Sequence, residues 1–397
     1  MDLEAITTEE AWDALEPEWD ALVERSASST IFLTWEWLRP WWRHYRRTGD
    51  ELRILAAREG GALIGLAPLY RSRVRAAYRV GSLRRLGFIG DRSGDSEYLD
   101  FILQPAREAE LLRAFFDHLD ADPAWDLIEL WLLPKASPNH ALLRSLAAER
   151  GCLEAAKDWP CLAIELPGDW EAYLKTLQSR FRGKLRSLLR RLPAEQGATF
   201  EPCADPAELP ERLESLFELH QQRWRAEGQP GSFASPERRA FYREMAEAFL
   251  RRGWLRFHAM RIGGRFVAHE FSFEHQGRVH FLQQGFDTEL TSLNVGTALK
   301  AHVIRESIER GAREYDFLGG NAPYKEKWGT RQTWCTFLSL ARPGLRRRLH
   351  LWLPGLGERL RERARSLTPA PLLRLKRGLQ ERLRRRRAAA KSGEEAE

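Results

Sequence analysis

One layout of short segments occurs twice in this chain and limits its possible folds more than any other feature. "LRILAAREGGALIGLAPLYRSR" (Leu52 to Arg73) reads as strand, Gly-Gly turn, strand. Far downstream, "LRFHAMRIGGRFVAHEFSFEHQGRVHFLQQGFD" (Leu255 to Asp287) reads as strand, Gly-Gly turn, strand, turn, strand. Trp-rich helical sequence precedes each copy, "WEWLRPWWRHY" in one case and "LESLFELHQQRWRAEG" in the other. A helical pattern and a further strand follow each: "EAELLRAFFDHLD" then "WDLIELWLL", and "GTALKAHVIRESIERG" then "REYDFLGG". Recurrence at this spacing points to a duplicated α/β unit with its boundary near "DWPCLAIELPGDW", around residue 165. The expected fold class is therefore α/β (α+β). It has two tandem domains at 1–165 and 166–340, each a mixed, mostly antiparallel sheet flanked by helices. A basic tail follows at 341–397.

The length fits this division, since 397 residues exceed what one ordinary core holds. Fifteen tryptophans, several of them in "FLTWEWLRPWWRHY", predict core or domain-interface packing, because an indole buries a large area. A sugar or acyl platform is the alternative. Cys152, Cys161, Cys203 and Cys335 have no zinc-ligand spacing and do not read as a disulfide framework, so no metal is expected. The start, "MDLEAITTEE", lacks an apolar stretch of the signal-peptide kind, and no apolar run reaches the roughly 18 residues that span a bilayer. A reducing cytoplasm is the expected location.

The net charge of +7 is unevenly placed. Residues 341–397 carry 17 Lys/Arg against 6 Asp/Glu, a net of +11, which leaves the preceding body at −4. Nucleic acid is thus an unexpected partner for the folded body. In the tail, Leu372, Leu375, Leu379 and Leu383 form a stripe flanked by basic residues. It reads equally as a helix lying on an anionic membrane surface or as a solubilising tail. A further basic helix is expected over Tyr173 to Leu192, with Leu177, Phe181, Leu185 and Leu188 inward. Its Arg and Lys side chains are either a solvated face or a wall toward phosphate.

Chemistry concentrates near the end of the second copy. After "GFD" a polar loop leads to a helix opening at Asn294, Val295, Gly296, Thr297 and Ala298. Free N–H groups and the helix dipole favour a phosphate there, although the same residue types also serve as plain caps. "YDFLGGNAPYKEKWGT" then ends a strand in glycines and presents Tyr324 and Lys325 just beyond it, with Trp328 as packing. "VAHEFSF" puts His269 and Glu270 on opposite faces of one strand. His269 suits a hydrogen-bonded packing role, and Glu270, if inward, suits a base. No serine elbow, HExxH or P-loop is present to suggest a hydrolase, metalloprotease or NTPase.

The order strand–hairpin–"GFD"–loop–"GTALK"–helix–"YDFLGG"–"YK"–"WG" resembles the CelD-type acetyltransferase group of the GNAT superfamily, which is related to the Fem-type peptidyltransferases. "FLTWEWLRPWW" and "SRFRGKLRSLLRRL" also look like that group, and the resemblance covers roughly residues 30–340. It implies two GNAT-like halves, catalysis in the second, and acetyl-CoA or another acyl-CoA as co-substrate. Gly296-x-Ala298 matches the superfamily's pyrophosphate loop, while Leu293 departs from the Arg or Gln usual at its start. Asp287, Gly296, Asp316, Gly320, Tyr324 and Lys325 fall at the group's recurrent positions. Acyl transfer to an amine needs a base, an oxyanion donor and an acid for the thiolate. Glu270 or His269 are candidates for the first, Lys325 for the second or for binding a phosphate, and Tyr324 for the third. Asp287 and Asp316 read equally as turn residues, and Arg182 and Lys184 as holders of an anionic acceptor. The group implies an amine of a sugar or of an envelope or exopolysaccharide precursor as acceptor. Two alternatives stand beside this: a Fem-like transfer from aminoacyl-tRNA, and a non-catalytic scaffold that docks on membranes through the tail.

Overall fold

In a computed structural model, which describes residues 1–77, 81–226 and 228–353, both Gly-Gly segments form tight hairpins. Ile54–Glu59 pairs with Ala62–Ala67 across Gly60 and Gly61, and Leu255–Ile262 pairs with Arg265–His275 across Gly263 and Gly264. All four glycines have positive φ, the conformation that two-residue turns of this hand require. The first copy then departs from the expected single strand. Pro68, which has no N–H to donate, separates Ala62–Ala67 from Leu69–Arg75, and the chain changes sheet there. The upstream part joins a four-stranded sheet with Asp2–Ile6, Ile54–Glu59 and Ile102–Leu103; the downstream part joins an eleven-stranded one.

The large sheet runs through both halves of the chain. Its order is Thr199–Pro202, Leu255–Ile262, Arg265–His275, Arg278–Phe286, Glu314–Gly319, Leu153–Glu165, Arg331–Ala341, Leu127–Pro134, Ser82–Phe88, Leu69–Arg75 and Glu51–Leu52. The duplication is visible as two parallel joints of three residue pairs each. Arg85 to Gly87 lies beside Leu127 to Glu129, and Arg278 to His280 beside Glu314 to Asp316. A helix lies between the two strands of each joint in sequence, Glu108–Ala121 in the first and Val295–Glu309 in the second. In the first copy the buried Arg85 guanidinium folds against Gly87 and bonds to Asp91, the Tyr70 hydroxyl and Glu129.

Tryptophans close the seam between the halves. Within the first half Trp12 meets Trp35 and Trp42, and Trp19 meets Trp35, edge to face, while Trp12 lies tilted on Trp19; Trp37 packs on Phe241, Phe249 and Phe273 of the second half. Each such contact contributes about 0.5–1.5 kcal/mol beyond simple burial. The helix expected over Tyr173 to Leu192 is two helices, Trp170–Thr176 and Ser179–Gln196, because Leu177 and Gln178 are extended and Leu177 turns into the core. The four cysteines are free thiols. No helix among the described residues is long and apolar enough to cross a membrane. Of the tail, residues 345–353 are helical; the leucine stripe lies outside the described residues.

Candidate active site

The second parallel joint opens into a wedge. Beyond His280 and Asp316 the strands Arg278–Phe286 and Glu314–Gly319 are no longer paired. A β-bulge makes the divergence: Ser272 pairs with Phe281 but Phe271 with Gln283, so Leu282 is an extra residue. Backbone groups that would join two strands are thereby left facing the gap, where a ligand can use them.

On one face of the sheet the wedge is floored by a buried ionic cluster. Lys300, from Val295–Glu309, donates to Glu270 Oε2 at 2.9 Å and to the Tyr315 hydroxyl at 3.1 Å. The Tyr315 hydroxyl donates to Glu270 Oε1 at 2.5 Å. Gln284 donates to Gly296 O at 2.9 Å and lies 3.4 Å from Glu270 Oε2. Burial pushes Lys300 down to about 8 against the pull of Glu270, and its ammonium sits over the Phe281 ring. Glu270 thus points inward, and both of its oxygens are already engaged. His269 faces the other way, between Phe257 and Phe266, with neither ring nitrogen hydrogen-bonded. Burial holds its pKa down at about 3.

The helix start lies beside the wedge. Asn294 has φ 56° and gives Val295–Glu309 no side-chain cap, and the first turn carries no acidic residue. Lys184 reaches over from Ser179–Gln196 and donates to Asn294 Oδ1 at 2.6 Å. A positive charge and uncapped N–H groups at one helix start fit a phosphate. Gly296 is buried, and a Cβ there would come within 3.1 Å of the Phe286 ring, so it allows the helix to approach the strand closely. Ala298 is buried behind it. Arg182 is half-buried on the same basic helix as Lys184.

The far lip of the wedge is a strained loop. Leu318 has φ 60°, a left-handed conformation costing roughly 1–2 kcal/mol for a residue with a Cβ. Asp316 Oδ1 accepts from its N–H at 2.7 Å. Lys325 is buried and donates to the carbonyls of Phe317, Leu318, Gly319 and Gly320 at 2.7–3.3 Å. Tyr324, 45 % exposed, sets its ring on Phe317, and desolvation pushes its phenol up to about 12. Trp328 packs behind, on Phe181 and Phe317. Asp316 also pairs with His280, 3.6 Å away, and its carboxyl is held low by that contact against the effect of burial. Asp287 caps the turn at Glu289 and meets Arg265.

The structure thus gathers Glu270, Tyr324, Lys325, Asp316 and the helix start around one wedge, and sets His269 and Asp287 apart from it. Sequence reasoning missed Lys300 and Tyr315. Lys300 had a legible signal, since it stands one turn after Gly296 on the face that also carries Ile304 and Ser307, all of them buried. On the opposite face of the sheet a cavity of about 610 Å³ lies at the seam between the halves, lined by Ser29, Tyr98, Lys135, Arg278, Asp316 and Arg331 among others. Among the described residues no cluster of His, Cys, Asp or Glu is arranged to hold a metal.

Residues 179–326, which contain the wedge, match the family model described as acetyltransferase (GNAT) domain, so this part of the chain is a GNAT-type acetyltransferase domain. No curated protein matches the sequence. Among solved structures the fold is similar to that of FemX, with 15 % identity, a TM-score of 0.57, and 85 % of this chain and 97 % of that one covered. It is also similar to a protein of unknown function from Bacteroides thetaiotaomicron, with 14 % identity, a TM-score of 0.53 and coverages of 82 % and 97 %. A third similar fold is the C-terminal domain of a protein assigned as a lysylphosphatidylglycerol synthetase in Agrobacterium fabrum. It has 11 % identity, a TM-score of 0.51 and coverages of 83 % and 92 %.

Proposed function

We propose that the chain transfers an acyl group from acyl-CoA to a primary amine, and that the acceptor is an amino sugar or a related envelope precursor. The observation that carries this is the wedge itself: two parallel strands that separate at a bulge, with an uncapped helix start and Lys184 beside the opening. A thioester lying between the strands would meet unpaired backbone groups, and its pyrophosphate would meet Val295, Thr297 and Lys184. Attack by the amine nitrogen forms a C–N bond and breaks the C–S bond. Tyr324, half-exposed and protonated up to about pH 12, supplies a proton to the departing thiolate. Glu270, Lys300 and Tyr315 act as one unit that holds the floor of the wedge in place.

Calorimetric titration of the full chain with acetyl-CoA and with longer acyl-CoAs tests this. Lys184 is exposed, so Lys184→Glu leaves the fold intact and should weaken saturable binding about tenfold or more, the loss of one charge-assisted phosphate contact. No saturable binding by the folded chain sinks the proposal. The similarity in fold to FemX and to the synthetase domain fits a second reading, Fem-like transfer of an aminoacyl group from a charged tRNA. Turnover of aminoacyl-tRNA but not of acyl-CoA would select it.

A further inference from the structure

The loop "GDRSGDSEYLDF", which follows Ser82–Phe88 in the first half, carries four acidic residues, and the fold treats one of them differently. Asp91 accepts from the Tyr70 hydroxyl on one oxygen and from Arg85 on the other. Asp95 accepts from the Tyr242 hydroxyl and from Arg238, which ties the loop to the second half. Asp100 accepts from Asn139 and the Phe101 N–H on one oxygen and from Ser28 and Ser137 on the other. Glu97 alone is incomplete. Its Oε1 accepts from the Gly319 N–H at 3.3 Å, while Oε2 is enclosed and has no partner.

The position of this carboxyl is informative. Gly319 is the last residue of the strand that forms the far lip of the wedge, and a Cβ there would come within 2.7 Å of Glu97 Oε1 and 2.2 Å of Trp159 Nε1. The absent side chain at Gly319 is what lets a carboxyl from the other half reach the lip. A carboxylate oxygen withdrawn from water without a donor is costly, and a fold that satisfies three neighbouring carboxyls completely leaves the fourth without a second partner beside the last residue of the wedge's far lip.

We propose that Glu97 is the contribution of the N-terminal half to the transfer site, its Oε2 taking the proton released by the acceptor amine. The proposal rests on the acyltransferase function proposed above. As the amine nitrogen attacks the thioester carbonyl, the N–H proton passes to the Glu97 carboxylate, the C–N bond forms, and the C–S bond breaks with the thiolate protonated by Tyr324. Asp316 on the strand and Asp95 on the loop face Glu97 and disfavour its charge; Lys325 and the Gly319 N–H favour it. Tyr98 adjoins the same group, with Cys161 and Cys335 behind it. Burial is the largest effect, and the carboxyl is pushed up to about 8, within the range where a base exchanges protons with an amine.

The test uses the full chain, acetyl-CoA, and a panel of glucosamine, its nucleotide-linked form and free lysine. Glu97→Gln keeps the oxygen that accepts from Gly319 and removes only the ability to take a proton. Expected is a fall in kcat of about 100-fold or more, the usual size for loss of a general base. Acetyl-CoA affinity and melting temperature should be unchanged, and Glu97→Asp should retain part of the activity. The wild-type kcat should rise with pH through about 8, and that limb should vanish in the Gln variant, while any ionisation of the acceptor remains in both profiles. An active wild type with an equally active Gln variant, or a variant whose pH profile is unaltered, overturns this assignment alone. Loss of acetyl-CoA binding in the Gln variant also overturns it, because Glu97 would then only brace the loop. A wild type that acetylates none of the amines while binding acetyl-CoA overturns the acyltransferase function and this inference together.

Discussion

Lys300 shows what a single side chain settles in this molecule. Its charge is buried, so its proton is held by Glu270 and Tyr315 rather than by water. Removing either member of such a pair strands the other, at a cost of about 3–5 kcal/mol, whereas removing both is far milder. Lys300→Met and Glu270→Gln should each lower urea stability by that order, and the double variant should recover most of the loss. If each single variant is as stable as the wild type, the cluster does not hold the floor of the wedge. The pH dependence has a definite sign. Folding lowers the lysine from 10.5 to about 8, so between these values the unfolded chain binds a proton that the folded chain has released. Stability from this group is lowest below about 8 and increases as pH rises toward 10.5. That increase should be absent in Lys300→Met, read as the difference in urea stability between the two proteins across the window. Glu270 was legible in the sequence because alternation allows one of two neighbours to face inward. Its partners were not, since they arrive from a helix and from a strand that pairs elsewhere.

At the level of elements, the segment from Glu314 to Glu326 joins a strand, a strained corner and a short helix, Pro323–Glu326. The glycine-rich corner was readable, and so was the placement of Tyr324 and Lys325 just beyond it. Their division of labour was not, because a lysine in "NAPYKEK" has the same local sequence whether it faces a ligand or turns back. Here it turns back, and four carbonyls depend on its ammonium. Lys325→Met should therefore cost about 1–3 kcal/mol in stability, the penalty for buried acceptors left without a donor. Tyr324→Phe removes only a half-exposed hydroxyl, so it should leave the melting temperature in place and lower turnover. Matched thermal melts and acetyl-transfer rates separate the two; a Lys325→Met protein of wild-type stability would show that the clamp is dispensable. The helix over Ser179–Gln196 teaches a related point. Its leucine spacing was legible through to Tyr173, but the break at Leu177 depends on a core that only the remainder of the chain supplies.

Across the whole molecule, the halves are joined by backbone as well as by side chains. Leu153–Glu165 pairs with Arg331–Ala341 at eleven positions, and Arg331–Ala341 in turn pairs with Leu127–Pro134. A strand from the end of the described chain thus sits inside the first half. A fragment of residues 1–165 would expose the open edges of two strands and the aromatic seam around Trp37, and should aggregate or remain unfolded. The intact chain should melt in one transition, and two separate transitions in calorimetry would show that the shared sheet does not couple the halves.

What the sequence determined by itself was the repeated unit, its hairpins, its helix start and the kind of chemistry its second copy suits. Gly-Gly turns, apolar periodicity and the position of a helix start are local properties, readable within a few turns of chain, whereas the missing cap at Asn294 shows only in the structure. Only the tertiary structure decided which polar groups meet. Glu97 and Gly319 lie 222 positions apart. Lys300 finds Glu270 and Tyr315 across three elements. Arg85 lies across the first parallel joint, while the second opens into a wedge. Such encounters follow from strand order and close packing, which are long-range and leave no periodic trace in the chain.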